Sequence, residues 1–245
     1  TNYLASRPLS VFKADGTWKS FSLPCSNITN TSQIVIDHRG YKWIMLYSKS
    51  AGVVVYDDGG TIDDESDDRC VVLGASNTAI PSNSVYCLAV DREGDIWVGT
   101  AEGPVVFDGN GDIFNGHQGS RVKVEQDGVL NYLFGEETIY SIAVDGANRK
   151  WFGTGSGVFV QSPAGNEEVA SYTTANSPLL DNRIIDIAID GNNGIVYIAT
   201  NGGIMSVRTD AIDGSAVHSD EVYAWPNPVR PGYDGPIAIR GLAND

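Results

Sequence analysis

The sequence lacks any hydrophobic run long enough to cross a membrane, because its longest apolar stretches, such as residues 52–56, are only strand-length. It is also short of basic residues, with 16 lysines and arginines against 31 acids and a net charge of −15. A surface this acidic repels phosphate backbones, so neither a membrane-spanning segment nor a nucleic-acid partner is expected. The first residues, Thr1 to Leu4, show no charged region followed by an apolar one, so no signal peptide is predicted.

Cysteine and histidine are equally scarce, with three of each. Cys25, Cys70 and Cys87 are odd in number and stand at no metal-ligand spacing, so we expect no disulfide framework. Cys87 lies inside an apolar strand pattern and is predicted to be a buried small hydrophobe. The histidines form no zinc motif. The cysteines therefore do not indicate a compartment.

A repeated segment is the main feature that the sequence does have. An apolar stretch ending in aspartate is followed by a turn and then by a second stretch with one aromatic residue. The aspartates are Asp37, Asp91, Asp145 and Asp190, and the aromatic residues are Trp43, Trp97, Trp151 and Tyr197. The aspartates stand 54, 54 and 45 residues apart, and a period of about 50 residues is typical of propeller blades. We expect the aromatic residues to pack between blades, since large aromatics dominate core burial; a ligand-stacking ring is the alternative.

The third repeat predicts four strands, at residues 139–144, 150–154, 157–161 and 169–173. The first is apolar on both faces, so both faces of its sheet must be covered, as in radially stacked blades. The sequence predicts an all-β propeller of about four four-stranded blades over residues 1–209, with a partial first blade in residues 1–24. Because that partial blade has two strands and the last repeat three, we interpret the blades as part of a larger propeller, with a closed four-bladed ring as the alternative. The open edges also predict self-association if the chain does not close on itself.

The pattern changes after residue 209. Residues 210–221 are predicted to be a linker, and three prolines between 226 and 231 argue against a helix in the next segment. Residues 235–241 alternate as one strand would. A lone strand cannot bury its face, so residues 222–245 are predicted to start a truncated C-terminal β-sandwich.

These residues carry two resemblances. The pattern Ile-Ala-Val-Asp, a turn, then Trp-x-Gly-Thr resembles the two-component-regulator propeller repeat, and its clearest copy is Asp91–Thr100. This family is common in Bacteroidota, in the periplasmic halves of hybrid sensor kinases and in some cell-surface secretion proteins. The tail, at residues 225–231 and 235–242, is similar to the start of the C-terminal β-sandwich of PorZ-like proteins. Those proteins belong to the type IX secretion attachment complex on the cell surface and handle anionic lipopolysaccharide.

The resemblances imply a periplasmic or surface-exposed module that binds or docks and does not catalyse a reaction. The first hypothesis is a PorZ-like role in type IX secretion, with a glycan, anionic lipopolysaccharide or a secretion-complex protein as partner. The alternative is the ligand-sensing domain of a hybrid two-component sensor kinase. A carbohydrate-active propeller enzyme is the least favoured, because no acid/base constellation emerges and no catalytic residue can be assigned.

Binding residues concentrate on loops held by a rigid scaffold, and the loops leading into each inner strand would converge around the propeller axis. The candidate ligand-binding residues on these loops are Asn83, Ser84, Tyr86, Glu137, Tyr140, Asn182 and Arg183. Their amides, hydroxyls and aromatic faces suit a glycan, although Asn and Ser also cap turns in such places. Arg183 is the preferred candidate for an anionic group, because its planar fork fits carboxylate or phosphate.

No cofactor is expected, with calcium as the one weak candidate. Asp108, Asn110 and Asp112 place oxygen ligands at alternate positions, like the start of a calcium loop. The twelfth position is Gly119, so the bidentate carboxylate is missing and a β-turn is the favoured interpretation. The acidic run at residues 57–68 is interpreted as a solvated, extended loop, with a cation site as the alternative.

Overall fold

The computed structural model describes residues 6–25, 28, 30–47, 52–126, 128–213, 223–225 and 238–240. The described chain is all-β apart from one short 3₁₀ helix, and every strand pairing in it is antiparallel. Strands β1 (Leu9–Phe12) and β2 (Trp18–Phe21) form a hairpin around Asp15 and Gly16. The later sheets contain the four repeats, and we number them blades 1 to 4.

Each blade starts with the repeat segment as its two inner strands. Blade 1 consists of β3 (Thr31–Ile36), β4 (Lys42–Leu46), β5 (Val53–Asp57) and β6 (Arg69–Leu73). Blade 2 consists of β7 (Val85–Val90), β8 (Ile96–Thr100) and β9 (Gly103–Phe107), followed by the 3₁₀ helix Ile113–Asn115 and a hairpin of β10 (Lys123–Gln126) and β11 (Val129–Tyr132). Blade 3 consists of β12 (Ser141–Val144), β13 (Lys150–Gly153), β14 (Val158–Gln161) and β15 (Glu168–Tyr172). Blade 4 consists of β16 (Ile184–Asp190), β17 (Ile195–Thr200) and β18 (Gly203–Arg208).

This architecture confirms the predicted all-β propeller arrangement, including two strands at the start and three in the last repeat. Blade 2 differs from the four-strand pattern, because its outer position is occupied by a single bridge between Val106 and Ser120 instead of a fourth strand. The 3₁₀ helix interrupts the chain there, and Asp112 caps its N-terminus.

The repeated aspartate has two structural functions in each of the first three blades. In blade 2, Oδ1 of Asp91 accepts the backbone N–H groups of Glu93 and Asp95, both at 3.0 Å, which closes the turn between β7 and β8. Its Oδ2 accepts the indole N–H of Trp97 at 3.0 Å. The same indole–carboxylate bond measures 3.1 Å in blade 1 and 3.0 Å in blade 3. A buried indole needs such a partner, which explains why Asp and Trp recur together six residues apart.

The three tryptophans pack between blades, as predicted. Trp43 lies in the core shared by blades 1 and 2, Trp97 in the core between blades 2 and 3, and Trp151 in the core between blades 3 and 4. All three are buried.

Blade 4 departs from this pattern because no further blade covers it among the described residues. Tyr197 stands where the other blades have Trp, yet it is 44% exposed, and Ile204 on the same face is 75% exposed. The equivalent of Ile204 in blade 3, Val158, is fully buried. The aspartate of this blade, Asp190, binds the side-chain amide of Asn193 at 2.8 Å and receives no bond from Tyr197.

A buried ion pair joins blades 2 and 3. The ammonium group of Lys150 lies 2.7 Å from Oδ2 of Asp91 and 2.5 Å from the carbonyl oxygen of Pro163. It also lies 5.0 Å from the centre of the Trp97 ring, and its side chain is completely buried. The charge is therefore satisfied on three sides, which a buried ammonium group requires.

The β1–β2 hairpin is fastened to blade 1 by a disulfide between Cys25 and Cys70, whose Cα atoms are 5.5 Å apart. The expectation that no disulfide would form is therefore wrong. The odd number of cysteines was misleading because two of them pair and the third, Cys87, stays a free, buried thiol. Burial raises the pKa of the Cys87 thiol far above its usual range. Cysteines 45 residues apart come together because Cys70 lies on β6, beside the segment that comes after the hairpin.

Packing and charge add to this fastening. Phe21 and Leu23 lie in one buried cluster with Ile44, Val54 and Tyr56 of blade 1. The predicted solvated loop at residues 57–68 is exposed, but many of its acids are paired. With partners among the described residues it makes four ion pairs: Lys13–Asp63 at 3.1 Å, Lys19–Glu65 at 2.9 Å, Lys42–Asp58 at 2.6 Å and Arg69–Asp57 at 2.6 Å. Two of these reach the hairpin, so the loop links it to blade 1.

The first part of the predicted linker packs against the blades. Ala211 is fully buried, and the backbone N–H of Asp213 donates to the carbonyl of Gly191 at 2.8 Å. Two arginines hold this segment: Arg149 of blade 3 binds Asp210 at 2.9 Å, and Arg92 of blade 2 binds Asp213. We call residues 209–213 the strap. The domain boundary at residues 209–210 stays a prediction.

The predicted first strand of the C-terminal domain corresponds to β20 (Ala238–Arg240), which pairs with β19 (Tyr223–Trp225). The remainder of the predicted sandwich segment lies outside the described residues. No helix in the described part of the chain has both the length and the apolar character needed to span a membrane.

Candidate ligand-binding face

The first inner strands of blades 2, 3 and 4, which are β7, β12 and β16, begin at one end of the propeller, which we call the axial face. It is formed by the loops at residues 81–84, 136–138 and 180–183. β-Bulges lie at the start of two of these strands, between Val85 and Cys87 and between Ile184 and Asp186. Bulges change the direction of side chains and are frequent beside binding sites. The axial loop before blade 1 includes residues outside the described part of the chain.

Three of the predicted binding residues come together across this face. The rings of Tyr86 and Tyr140 meet edge to face, with centroids 5.5 Å apart. The guanidinium group of Arg183 lies 5.2 Å from the centre of the Tyr140 ring. These residues come from blades 2 and 3 and from the loop before blade 4, so the propeller arrangement itself creates the row. We call it the Tyr–Tyr–Arg row.

The row leaves surface for a ligand. Tyr86 is about half exposed and Arg183 is exposed. Within the described residues, the Arg183 side chain forms no salt bridge; its backbone N–H donates to Oδ1 of Asp181 at 2.8 Å, which fixes the loop. An arginine held over a ring keeps its charge and most of its five donors for an incoming acceptor.

Glu137 lies at the same face but is already engaged. Its Oε1 accepts a hydrogen bond of 2.7 Å from the hydroxyl of Ser156, on the hairpin between β13 and β14. Its backbone carbonyl accepts the N–H of Gly103 at 3.0 Å. Glu137 therefore connects blades 2 and 3.

The two asparagines and Ser84 are bound to the backbone around them. Oδ1 of Asn83 accepts the N–H of Ala75 at 2.8 Å, and Oδ1 of Asn182 accepts the N–H of Thr174 at the same distance. The carbonyl of Ser84 accepts the N–H of Ala101 at 2.9 Å. The asparagines thus make the turn-capping bonds that were the alternative for these residue types, and the structure does not bring their amides into the Tyr–Tyr–Arg row. Their part in ligand binding stays a prediction.

The candidate calcium residues use their carboxylates in local structure. Oδ1 of Asp108 accepts the N–H of Asn110 at 2.7 Å, as in a tight turn. Asp112 caps the 3₁₀ helix through Phe114 and Asn115. In the described part of the chain, no group of three or more His, Cys, Asp or Glu residues is arranged to hold a metal ion.

The sequence did not predict that side-chain hydrogen bonds join neighbouring blades. Gln33 of blade 1 donates to the carbonyl of Leu88 at 2.9 Å and accepts its N–H at 2.7 Å. Ser141 of blade 3 binds Asp186 of blade 4 at 2.8 Å. These residues stand four positions before the repeated aspartates, so an alignment of the repeats could have shown that polar groups recur beside the axial face.

The comparisons with known proteins agree with this architecture. A family described as "Two component regulator propeller" matches residues 79–102. No curated protein matches this chain. Among solved structures, the chain is similar to PorZ of Porphyromonas gingivalis, described as an essential bacterial surface component of the type-IX secretion system. The two are 30% identical with a TM-score of 0.77, over 98% of this chain and 34% of PorZ.

A second similar structure is the extracellular domain of the putative hybrid two component system BT3049 from B. thetaiotaomicron. It is 26% identical with a TM-score of 0.55, over 76% of this chain and 22% of that domain. The chain therefore spans about a third of PorZ and less than a quarter of the BT3049 domain. A putative gluconolactonase, at 14% identity and a TM-score of 0.55 over 86% of this chain and 70% of that one, shares the fold alone.

Proposed function

We propose that this chain, which carries the two-component-regulator propeller repeat and resembles PorZ along nearly all of its length, is a non-catalytic binding module of a PorZ-like surface protein. The observation that carries the proposal is the Tyr–Tyr–Arg row, with ring centroids 5.5 Å apart and a guanidinium group 5.2 Å above Tyr140. Aromatic faces stack on the apolar faces of sugar rings, and the arginine fork donates hydrogen bonds to a carboxylate or phosphate. A glycan or an anionic lipopolysaccharide is the ligand this chemistry fits, and a secretion-complex protein is the other partner class.

The disulfide supports a site of action in the periplasm or at the cell surface. Structural disulfides persist in oxidising compartments and are rare in the cytosol of mesophiles. Cys25–Cys70 fastens the hairpin to blade 1, and an oxidising compartment would preserve this link. PorZ is described as a surface component and the BT3049 domain as extracellular, which is consistent with this location.

Binding to purified glycans and lipopolysaccharide, measured by titration calorimetry, tests the proposal. We expect Tyr140→Ala to weaken binding about tenfold or more, because it removes the ring shared by Tyr86 and Arg183. Tyr197→Ala is the matched control, because Tyr197 is an exposed tyrosine on blade 4, away from the axial face. Equal losses from both substitutions, or turnover of the glycan that Glu137→Gln abolishes, would contradict a non-catalytic site at the row.

The similarity to the BT3049 domain favours a second candidate, the ligand-sensing domain of a hybrid sensor kinase. The two candidates share the binding step and differ in the domains attached to the propeller. Sequencing the whole natural polypeptide distinguishes them: a membrane helix followed by kinase domains would favour sensing, and a single further β-sandwich would favour the secretion role.

The uncovered face of blade 4 supports self-association of the 245-residue chain. Ile204 and Tyr197 are exposed there, whereas the same positions in blades 1 to 3 lie in interfaces between blades. We expect the mass measured by light scattering to rise with concentration and Ile204→Asp to stay monomeric. A constant monomer mass for the unsubstituted chain would contradict this.

A further inference from the structure

Blade 2 carries the β10–β11 hairpin where blades 1 and 3 have their fourth strand, and the two faces of this hairpin differ. Val122 and Val124 pack on the core between blades 2 and 3. Because side chains alternate along a strand, Arg121 and Lys123 lie on the opposite face, and Lys123 stands directly across from Tyr132. Lys123 is exposed, and Tyr132 is 47% exposed. The outer face of the hairpin therefore presents two bases and a tyrosine to solvent.

We call Arg121, Lys123 and Tyr132 the hairpin patch. The guanidinium group of Arg121 lies 4.1 Å from the centre of the Tyr132 ring. Its Nη2 donates a hydrogen bond of 2.8 Å to the backbone carbonyl of Glu102. Glu125 follows on the same face, yet within the described residues neither base of the patch forms an ion pair with a carboxylate. The patch is therefore a local positive surface on an acidic chain.

Arg121 shares this property with Arg183 of the Tyr–Tyr–Arg row. Both guanidinium groups lie over a tyrosine ring, and neither is paired with a carboxylate in the described part of the chain. Two other arginines that stack on aromatic rings also pair with an aspartate, at 3.3 and 2.6 Å: Arg39 with Asp37, and Arg69 with Asp57. Stacking alone therefore does not leave an arginine without its counter-charge.

The hairpin patch adjoins the axial face. Glu102, whose carbonyl binds Arg121, lies in the turn between β8 and β9. The next residue, Gly103, donates its N–H to the carbonyl of Glu137 at 3.0 Å, and Glu137 lies in one of the axial loops. Tyr140 of the row follows three residues later. A continuous set of contacts thus joins the patch to the Tyr–Tyr–Arg row.

We infer that the hairpin patch is a second anion subsite of the axial face and that the ligand is a glycan with negative groups on more than one sugar ring. The inference rests on the proposed function, in which Arg183 binds one anionic group of the ligand. The patch offers a second tyrosine ring for stacking and a second set of charged donors. The net charge of −15 repels a polyanion as a whole, so each anionic group needs a local cation.

Octagalacturonate labelled at its reducing end has one carboxylate on each ring and tests the inference with the 245-residue chain. Fluorescence anisotropy should show saturable binding, which Arg121→Gln weakens about tenfold and Lys123→Gln about threefold. Arg208→Gln is the matched control, because it removes the same charge and should leave binding unchanged. Arg208 ends β18 and pairs with Ile195, just beyond the aspartate turn of blade 4 and away from the axial face.

The fully methyl-esterified probe keeps the sugar rings and removes their charge. Tyr140→Ala should weaken its binding, and Arg121→Gln should not affect it. Arg121 also packs on Tyr132, so thermal melting followed by circular dichroism checks that the Arg121→Gln variant is folded. Lys123→Gln changes only an exposed side chain and gives an independent result.

The outcomes separate this inference from the proposed function. Loss of binding with Tyr140→Ala but with neither hairpin substitution would overturn the second subsite and leave the proposed function standing. Loss with the hairpin substitutions but not with Tyr140→Ala would overturn the proposed function and, with it, the joint site. Equal losses from Arg121→Gln and Arg208→Gln, an esterified probe that responds like the charged one, or no binding of the charged probe would also overturn the inference.

Discussion

Removing the disulfide should destabilise the propeller through its first hairpin. The double substitution Cys25→Ser and Cys70→Ser opens a loop that the bond closes across 45 residues. In the chain-entropy description, closing a loop of this length restricts the unfolded chain by about 4 kcal/mol. For a protein of this size that corresponds to a fall in melting temperature of about 8 to 16 °C. Urea unfolding and calorimetry of the purified chain measure both quantities.

The loss should be concentrated in β1 and β2. Without the bond, the hairpin retains its packing through Phe21 and Leu23 and its ion pairs through Lys13 and Lys19. Exposed ion pairs of this kind contribute about 0 to 1 kcal/mol each, too little to replace the covalent link. Amide hydrogen exchange should therefore accelerate in β1–β2 far more than in β12–β13, which pack between two blades.

Reductant provides the control. It should destabilise the unsubstituted chain by the same amount as the double substitution and should not affect the double variant. The thiol of Cys87 does not complicate the comparison, because it is buried and its raised pKa keeps it protonated and unreactive. A double variant that unfolds within about 1 kcal/mol of the original, with unchanged exchange in β1–β2, would show that packing alone holds the hairpin and would refute this reasoning.

Three further predictions concern contacts between two blades or between a blade and the strap. Lys150→Met should lower the free energy of unfolding in urea by about 3 to 5 kcal/mol, because it leaves the carboxylate of Asp91 buried without its cation. A loss below about 1 kcal/mol would contradict a tightly buried pair. Gly153→Ala should lower the free energy of unfolding by about 1 to 3 kcal/mol, because a Cβ there would lie 2.6 Å from the Ile184 side chain. Gly155→Ala is the control and should be neutral, since a Cβ there meets nothing closer than 3.9 Å. Equal effects of the two substitutions would argue against a close contact between blades. The hydrogen bond from Arg149 lowers the pKa of Asp210, so its contribution to stability is present above the unfolded pKa of about 3.9 and is lost as the pH falls through the lower folded value. Asp210→Asn should therefore destabilise at pH 7 and have a smaller effect at about pH 2, and an effect independent of pH would contradict the ion pair.

The fold was predictable because the signals for it are local and repeated. The aspartates at 37, 91 and 145 are evenly spaced, and each stands six residues before a tryptophan. Period, turn residues and two-sided apolar strands all indicate the same stacked sheets. The uncovered ends of the row of blades could be predicted by counting strands.

The disulfide and the Tyr–Tyr–Arg row were harder to predict, because both depend on distances between repeats. Nothing in the spacing of Cys25 and Cys70 shows that the segment after the hairpin lies beside β6. Tyr86 and Tyr140 were identified as candidates, but their contact depends on the angle between neighbouring blades. The sequence shows that Asp and Trp recur together, but it does not show that the aspartate closes the turn and accepts the indole N–H of the tryptophan.

The position of the strap fixes which end of the propeller is nearest to its last described residues. The first inner strand of each blade runs from the axial face to its aspartate turn, so the turns lie at the opposite pole. Ile212 and Asp213 lie at that pole, against Gly146 and Gly191 of two of these turns. Asp213, the last residue of the strap, therefore lies at the pole farthest from the Tyr–Tyr–Arg row. A tether attached there would leave the row facing away from its anchor and accessible to large ligands.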